Sequence, residues 1–110
     1  MPRLYKVEWY VPVEHAEKVK EAVFAAGAGR YEAYDSCAWQ TEGTGQFRPL
    51  EGSDPFIGEK GKVEHVREVK VECICREEVL KNVLRALVEA HPYEEPAYGA
   101  FPLITLEDLT

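Results

Sequence analysis

The sequence predicts an α+β sandwich of the split βαβ kind, in which two βαβ halves form a four-stranded antiparallel sheet with two helices on one face. Three observations carry this reading. Two segments alternate apolar and polar residues with the period of a strand, and each runs into a segment of helical period. Each helical segment stops at a breaker, Gly27 or Pro92, and a further short strand follows. Right-handed crossovers in both halves then leave almost a single topology.

The first strand spans Leu4 to Val11. Tyr5, Val7, Trp9 and Val11 face one way, while Lys6, Glu8 and Tyr10 face the other. Pro12 ends it. Residues 14–26 repeat at helical spacing, with Ala16, Val19, Ala22, Val23 and Ala26 on one face, and Gly27 supplies the C-terminal cap. A short strand is expected at 36–41, around Cys37 and Trp39. The stretch 43–61 follows no period and is expected as a long loop between the second and third strands; with Lys62 it holds five of the chain's 8 glycines and two of its 7 prolines. The third strand begins near Lys62 and buries Val69, Val71, Cys73 and Cys75. Val63 and Val66 are out of phase with that set, so a bulge or bend is expected near 65–67. Residues 77–91 form the strongest helix, striped by Leu80, Val83, Leu84, Leu87 and Val88. A last strand closes the chain at 96–104.

Size and charge narrow the function. The 110 residues are read as one domain with one core, spanning 1–110. Twenty acidic residues against 13 basic ones give a net charge of -7, and no basic cluster offsets it, so neither nucleic acid nor a membrane surface is an expected partner. Residues 1–13 mix Arg3, Lys6 and Glu8 among their apolar positions, which fits no secretion signal. The three cysteines are an odd number, and two are Cys73 and Cys75; this is no disulfide framework and points to reduced thiols and a cytoplasmic protein.

Four blocks taken together go beyond periodicity: AAGAGRYEAYDSCAW at 25–39, GTGQFRPLEGSDPFIGEKGK at 43–62, VREVKVE at 66–72 and AHPYEEPAY at 90–98. In this order they resemble the YqfO-type domain, which occurs alone in some bacteria and inserted in Nif-three-like proteins. AHPYEEPAY also resembles the end of the second helix of CutA proteins. The resemblance covers roughly residues 3–104 and implies a ferredoxin-like, PII/CutA-like fold. It implies homo-oligomers as well, with a trimer favoured and a dimer the alternative, and ligand sites near subunit boundaries. It implies no known reaction. The two-metal site of the longer proteins lies in flanking parts that have no counterpart in this sequence.

Two places stand out as candidate sites. In AHPYEEP, His91 with Glu94 and Glu95 is a candidate set for a ligand or a divalent metal, with Cys37 as a further soft ligand, because an imidazole titrates near neutrality and binds borderline metals. Tyr93 lies in the same turn. The competing reading has His91 ending the helix and bonding one of its last carbonyls. In the long loop, which PII proteins use for partners and ligands, Phe47, Arg48 and Glu51 are the candidates; a guanidinium can make two parallel bonds to a carboxylate or phosphate. Alternatively Phe47, Leu50, Phe56 and Ile57 fold back onto the body. Cys73 and Cys75 continue the core face and read as small hydrophobes. The loop lacks the GK[ST] ending of a phosphate-binding loop, since Val63 follows Lys62.

These features favour a non-catalytic, oligomeric binding or sensor module whose ligand the sequence leaves unnamed. A CutA-like protein handling divalent metal or copper is the alternative, and a small metal-dependent enzyme the second. No recognisable nucleophile–base pair supports an enzyme. No cofactor is required by the sequence, although a divalent metal fits the His91 group.

Overall fold

The computed structural model describes residues 4–109; residues 1–3 and 110, which the expected domain bounds include, lie outside it. The order is β1 (Leu4–Pro12), α1 (Ala16–Ala25), β2 (Trp39–Phe47), β3 (Glu64–Arg76), α2 (Leu80–Ala90) and β4 (Tyr98–Leu103), with single 3-10 turns leading into both helices. The strands form one sheet in the order β2-β3-β1-β4, antiparallel at every pairing. This is the arrangement expected of two interlocked βαβ halves.

The core lies between the sheet and the two helices. Alternation along β1 buries Val7, Trp9 and Val11 completely, and β3 adds Val69, Val71, Cys73 and Cys75. Onto these pack Ala16, Val19 and Val23 of α1 and Val83 and Leu87 of α2. Val88, placed by its spacing on the apolar stripe, is instead 38% exposed, since α1 and the sheet cover only the Val83/Leu87 side of α2. At the end of α1, Gly27 sits at φ 117°, and two bonds close the helix: Gly27 N–H to the Phe24 carbonyl and Ala28 N–H to the Val23 carbonyl. This crossed pair needs the left-handed conformation that glycine adopts without steric cost.

Two expectations fail at the hairpin formed by β2 and β3. The second strand does not occupy 36–41: it begins at Trp39 and continues to Phe47, through the glycines assigned to the loop, so the connection is 48–63 rather than 43–61. Cys37 precedes the strand, held in a tight loop where its N–H donates to the Gly29 carbonyl. The strand escapes notice because it is an edge strand that buries no complete face. The bulge at 65–67 is also absent: pairing with β2 runs without interruption from Trp39↔Glu72 to Phe47↔Glu64. Val66 appears out of phase because β1 stops at Pro12, opposite Glu68. Beyond that point β3 pairs with β2 alone, so the alternation that β1 and β3 share no longer governs which residues are apolar.

The sheet face opposite the helices is uncovered. Lys6–Glu72 and Lys70–Glu8 ion pairs cross it at 3.6 and 3.7 Å. Tyr10, Trp39 and Phe101 are exposed, and strand alternation places them on this same face. No described helix is long and apolar enough to cross a membrane.

Candidate functional site

The two segments singled out in the sequence meet at the end of the sheet where β1 stops. Pro92 drives the meeting, because the residue before a proline avoids helical ψ. His91 accordingly ends α2 in extended conformation, with φ -71° and ψ 135°. Its ring then turns inward rather than toward the helix carbonyls of the competing reading. His91 is 6% exposed. Its Nε2 lies 2.7 Å from the Tyr10 carbonyl of β1, and its Nδ1 lies 3.1 Å from the Tyr93 N–H, which donates to it. The Tyr10 carbonyl can only accept, so Nε2 carries the proton and Nδ1 the lone pair: one neutral tautomer satisfies both contacts. Burial holds the imidazole below its ordinary value, outweighing the Tyr10 carbonyl and the Glu68 carboxylate, which pull the other way.

Tyr93 carries the contact onward. Its hydroxyl donates to Glu68 Oε2 at 2.8 Å, and Glu68 is 7% exposed. Burial, followed by this carboxylate, raises the phenol well above its usual range, so Tyr93 remains a donor. Gly45 makes room for Glu68: a Cβ there would run into the carboxylate. The Tyr93 ring meets Phe47 edge-on at 5.7 Å and Phe56 at 6.4 Å, and Phe56 meets His15 at 5.3 Å.

The loop closes over this aromatic group. Gly61 N–H donates to the buried Pro49's carbonyl at 2.7 Å, drawing the neck of the loop together. Ser53 folds its tip back onto the Leu50 carbonyl, and the Asp54 N–H donates to the Glu94 carboxylate at 2.8 Å, tying loop to turn. Between them lies a cavity of about 710 Å³. Phe47, Arg48, Glu51, Tyr93, Glu94 and Glu95 all line it, so six of the predicted site residues share one wall system, and His91 stands behind Tyr93. The fold-back reading of the loop is half realised: Phe47 and Ile57 are partly covered, while Phe56 and Leu50 stay 52% and 58% exposed.

The metal set does not assemble. Cys37 is bonded to Gly29, which is itself bonded to Ile74, near the far end of β3 from Glu68. Both His91 nitrogens are engaged. Among the described residues no group of three or more His, Cys, Asp or Glu side chains could hold a metal ion. Sequence reasoning missed Glu68 and His15. Glu68 reads as one more polar residue of a strand, and only the register, setting it opposite Pro12 and beside a residue without a side chain, marks it out.

The thiols make a separate prediction. Burial pushes Cys73 up to about 12, with Cys75 adding to the shift, and Cys75 up to about 11, with Glu78 adding. The thiolate is the reactive form. In native protein at neutral pH, iodoacetamide should therefore label half-exposed Cys37 and leave Cys73 and Cys75 unmodified until denaturant is added. Peptide mass spectrometry checks this, and equal labelling of all three would contradict the buried assignment.

Comparison with known proteins places this geometry. No family model matches the chain. A protein of Halalkalibacterium halodurans named GTP cyclohydrolase 1 type 2 homolog is 46% identical over 100 residues, covering 91% of this chain and 27% of the relative. The chain thus spans about a quarter of the length of the curated relatives it matches. Among solved structures, a Bacillus cereus protein related to NIF3 superposes with a TM-score of 0.80 at 42% identity, over 94% of this chain and 26% of that one. CutA of Archaeoglobus fulgidus, described as a periplasmic divalent cation tolerance protein, superposes at 0.66 and 18% identity over 93% of this chain and 85% of its own, a likeness of fold alone. Sequence blocks, sheet order and these relatives agree: the chain is similar to a segment that makes up about a quarter of the NIF3-related proteins, and it has the CutA-like fold.

Proposed function

We propose that this domain is a non-catalytic, oligomeric binding module whose ligand sits in the cavity between the 48–63 loop and the HPYEEP turn. The observation that carries the reading is the cavity itself: about 710 Å³, within the usual range for small-molecule sites, and built from the two segments without regular structure. Its walls are fixed by specific bonds between loop, turn and sheet. The imidazole behind Tyr93, that of His91, has both nitrogens committed, which leaves it poorly placed to serve as a general base.

Assembly into a trimer, favoured over a dimer by the PII/CutA resemblance, is supported by the uncovered sheet face with exposed Tyr10, Trp39 and Phe101 and by the free edges of β2 and β4. Metal handling, suggested by the CutA likeness, would require His91 to give up one of two buried hydrogen bonds. The activity named for the longer relatives belongs to chains more than three times this length, and its transfer to this domain finds no support in the cavity's residues.

A native mass spectrum of protein purified without a metal-affinity tag tests this reading. A trimer, with any bound small molecule seen as a stoichiometric mass increment, is the expected result. A bare monomer at micromolar concentration would remove the oligomeric part, and a stoichiometric metal adduct that survives His91→Ala would point to a metal site elsewhere.

A further inference from the structure

The loop over the cavity is fastened unevenly. Its base is closed twice. Gly61 N–H donates to the carbonyl of the buried Pro49 at 2.7 Å, and Ser53 N–H turns back to the Leu50 carbonyl at 3.1 Å. Residues 54–57 rise beyond these ties, and Pro55, Phe56 and Ile57 line the cavity. Among the described residues a single hydrogen bond joins this stretch to the rest of the fold, from the Asp54 N–H to the Glu94 carboxylate at 2.8 Å, and both partners are exposed. One ring adds to it. Phe56 meets His15 edge-on at 5.3 Å and Tyr93 at 6.4 Å, yet it stays 52% exposed.

The opposite wall is anchored more deeply. The Tyr93 hydroxyl is bonded to buried Glu68 and its N–H to His91, and its ring meets Phe47 at the end of β2. Facing it, the loop backbone is built to pivot. Gly52, at φ 92°, is the third residue of the Leu50–Ser53 turn and is committed to it. Gly58, at φ 95°, takes part in no such bond among the described residues. Without a Cβ it passes between positive and negative φ at little steric cost, so it can absorb the rotation of a hinge. Pro55 fixes its own φ and disfavours the helical region for Asp54, so the piece between turn and hinge is short and stiff. Stretches with few buried contacts and exposed hydrogen bonds open locally while the rest of a fold stays intact.

We infer that residues 54–57 are a flap, hinged at Gly58, that opens to admit a ligand to the cavity and closes over it, with the Asp54–Glu94 hydrogen bond as its latch. The inference rests on the binding reading above and supplies its gate. Opening releases Phe56 from His15 and Tyr93 and leaves the Gly61–Pro49 neck shut.

Amide hydrogen exchange of the ¹⁵N-labelled protein, with no ligand added, tests the flap. Glu94→Ala removes the latch at an exposed position and should speed exchange at the Asp54 amide about tenfold, the scale of one hydrogen bond to a charged acceptor. Phe56→Ala should speed it about fivefold, the scale of an aromatic pair. The Gly61 amide should keep its wild-type rate in both variants. Carbethoxylation by diethyl pyrocarbonate gives a second readout: in Glu94→Ala, His15 beneath Phe56 should react faster than in wild type, while the exposed His65 should not. The inference is overturned if the Asp54 amide is unprotected in the wild type or if neither variant changes its rate. It is overturned as well if Gly61 accelerates as much as Asp54, since the loop would then open as a whole, or if His15 reacts no faster. None of these measurements needs a ligand, so a failed gate and a failed binding reading give different results. A bound mass increment beside an immobile flap would overturn the gate alone.

Discussion

Alanine in place of His91 is expected to lower the unfolding free energy by about 2 kcal/mol at neutral pH, since it strands two part-buried backbone groups at ~1–3 kcal/mol each when fully buried. Those groups are the Tyr10 carbonyl and the Tyr93 N–H. The loss should also be pH-dependent. Above the ordinary imidazole value of 6.5 the ring is neutral in folded and unfolded chains alike. Below it, the unfolded chain takes up a proton that the folded chain refuses, because burial lowers the folded value; the Tyr10 carbonyl and Glu68 offset part of that shift, and His15 adds slightly to it. The contribution of this group is therefore complete above pH 6.5 and shrinks as pH falls from 6.5 toward the lowered folded value. Urea unfolding of wild type and His91→Ala at pH 7.5 and at pH 5.5 measures both effects. The gap between the two proteins should be widest at the higher pH. An equal gap at both would mean that His91 is not held neutral in the fold.

Trp9→Ala should cost about 3–5 kcal/mol, the range for removing a large buried aromatic side chain. Trp9 is wholly buried at the centre of β1, among Val7, Val11, Val71 and Leu87 of the same core. Its indole contains an irregularity: Nε1 is buried and finds no acceptor among the described residues. An unpaired buried donor works against stability by ~1–3 kcal/mol. Trp9→Phe removes that donor while leaving a smaller void, and the two effects oppose each other. Its cost should stay below about 1.5 kcal/mol, as for well-tolerated apolar exchanges. Thermal and urea unfolding of both variants decides the matter. A phenylalanine variant as unstable as the alanine one would show that the indole nitrogen is satisfied in solution.

Periodicity revealed the elements that bury a face. β1, β3 and both helices could be read because Val7, Trp9, Val71, Val83 and Leu87 must all reach one core, and that demand is written as spacing. β2 answers to no such demand. Its exposed residues are held by backbone pairing with β3, and backbone pairing leaves no trace in side-chain identity. For the same reason its glycines looked like a loop. The site was legible in parts. Pro92 and the lack of period at 48–63 advertised the turn and the loop, and six of the residues chosen there do meet around one cavity. What the sequence could not convey was the partner each residue would find. His91 was a plausible ligand until the Tyr10 carbonyl and the Tyr93 N–H claimed both nitrogens, and Glu68 was an ordinary strand residue until the register brought Tyr93 and Gly45 to it.

The pairing of β1 with β4 sets Leu4 directly opposite Leu103. Adjacent strands are about 4.8 Å apart, so the two outer ends of the sheet's first and last strands emerge side by side. A polypeptide entering at one can leave at the other almost where it came in. The module can therefore be spliced into a surface turn of another protein without prising that turn open, and each fold can keep its own core. Geometry of this kind turns an independent unit into a portable one, and it accounts in physical terms for how a domain of this size can occupy about a quarter of much longer relatives.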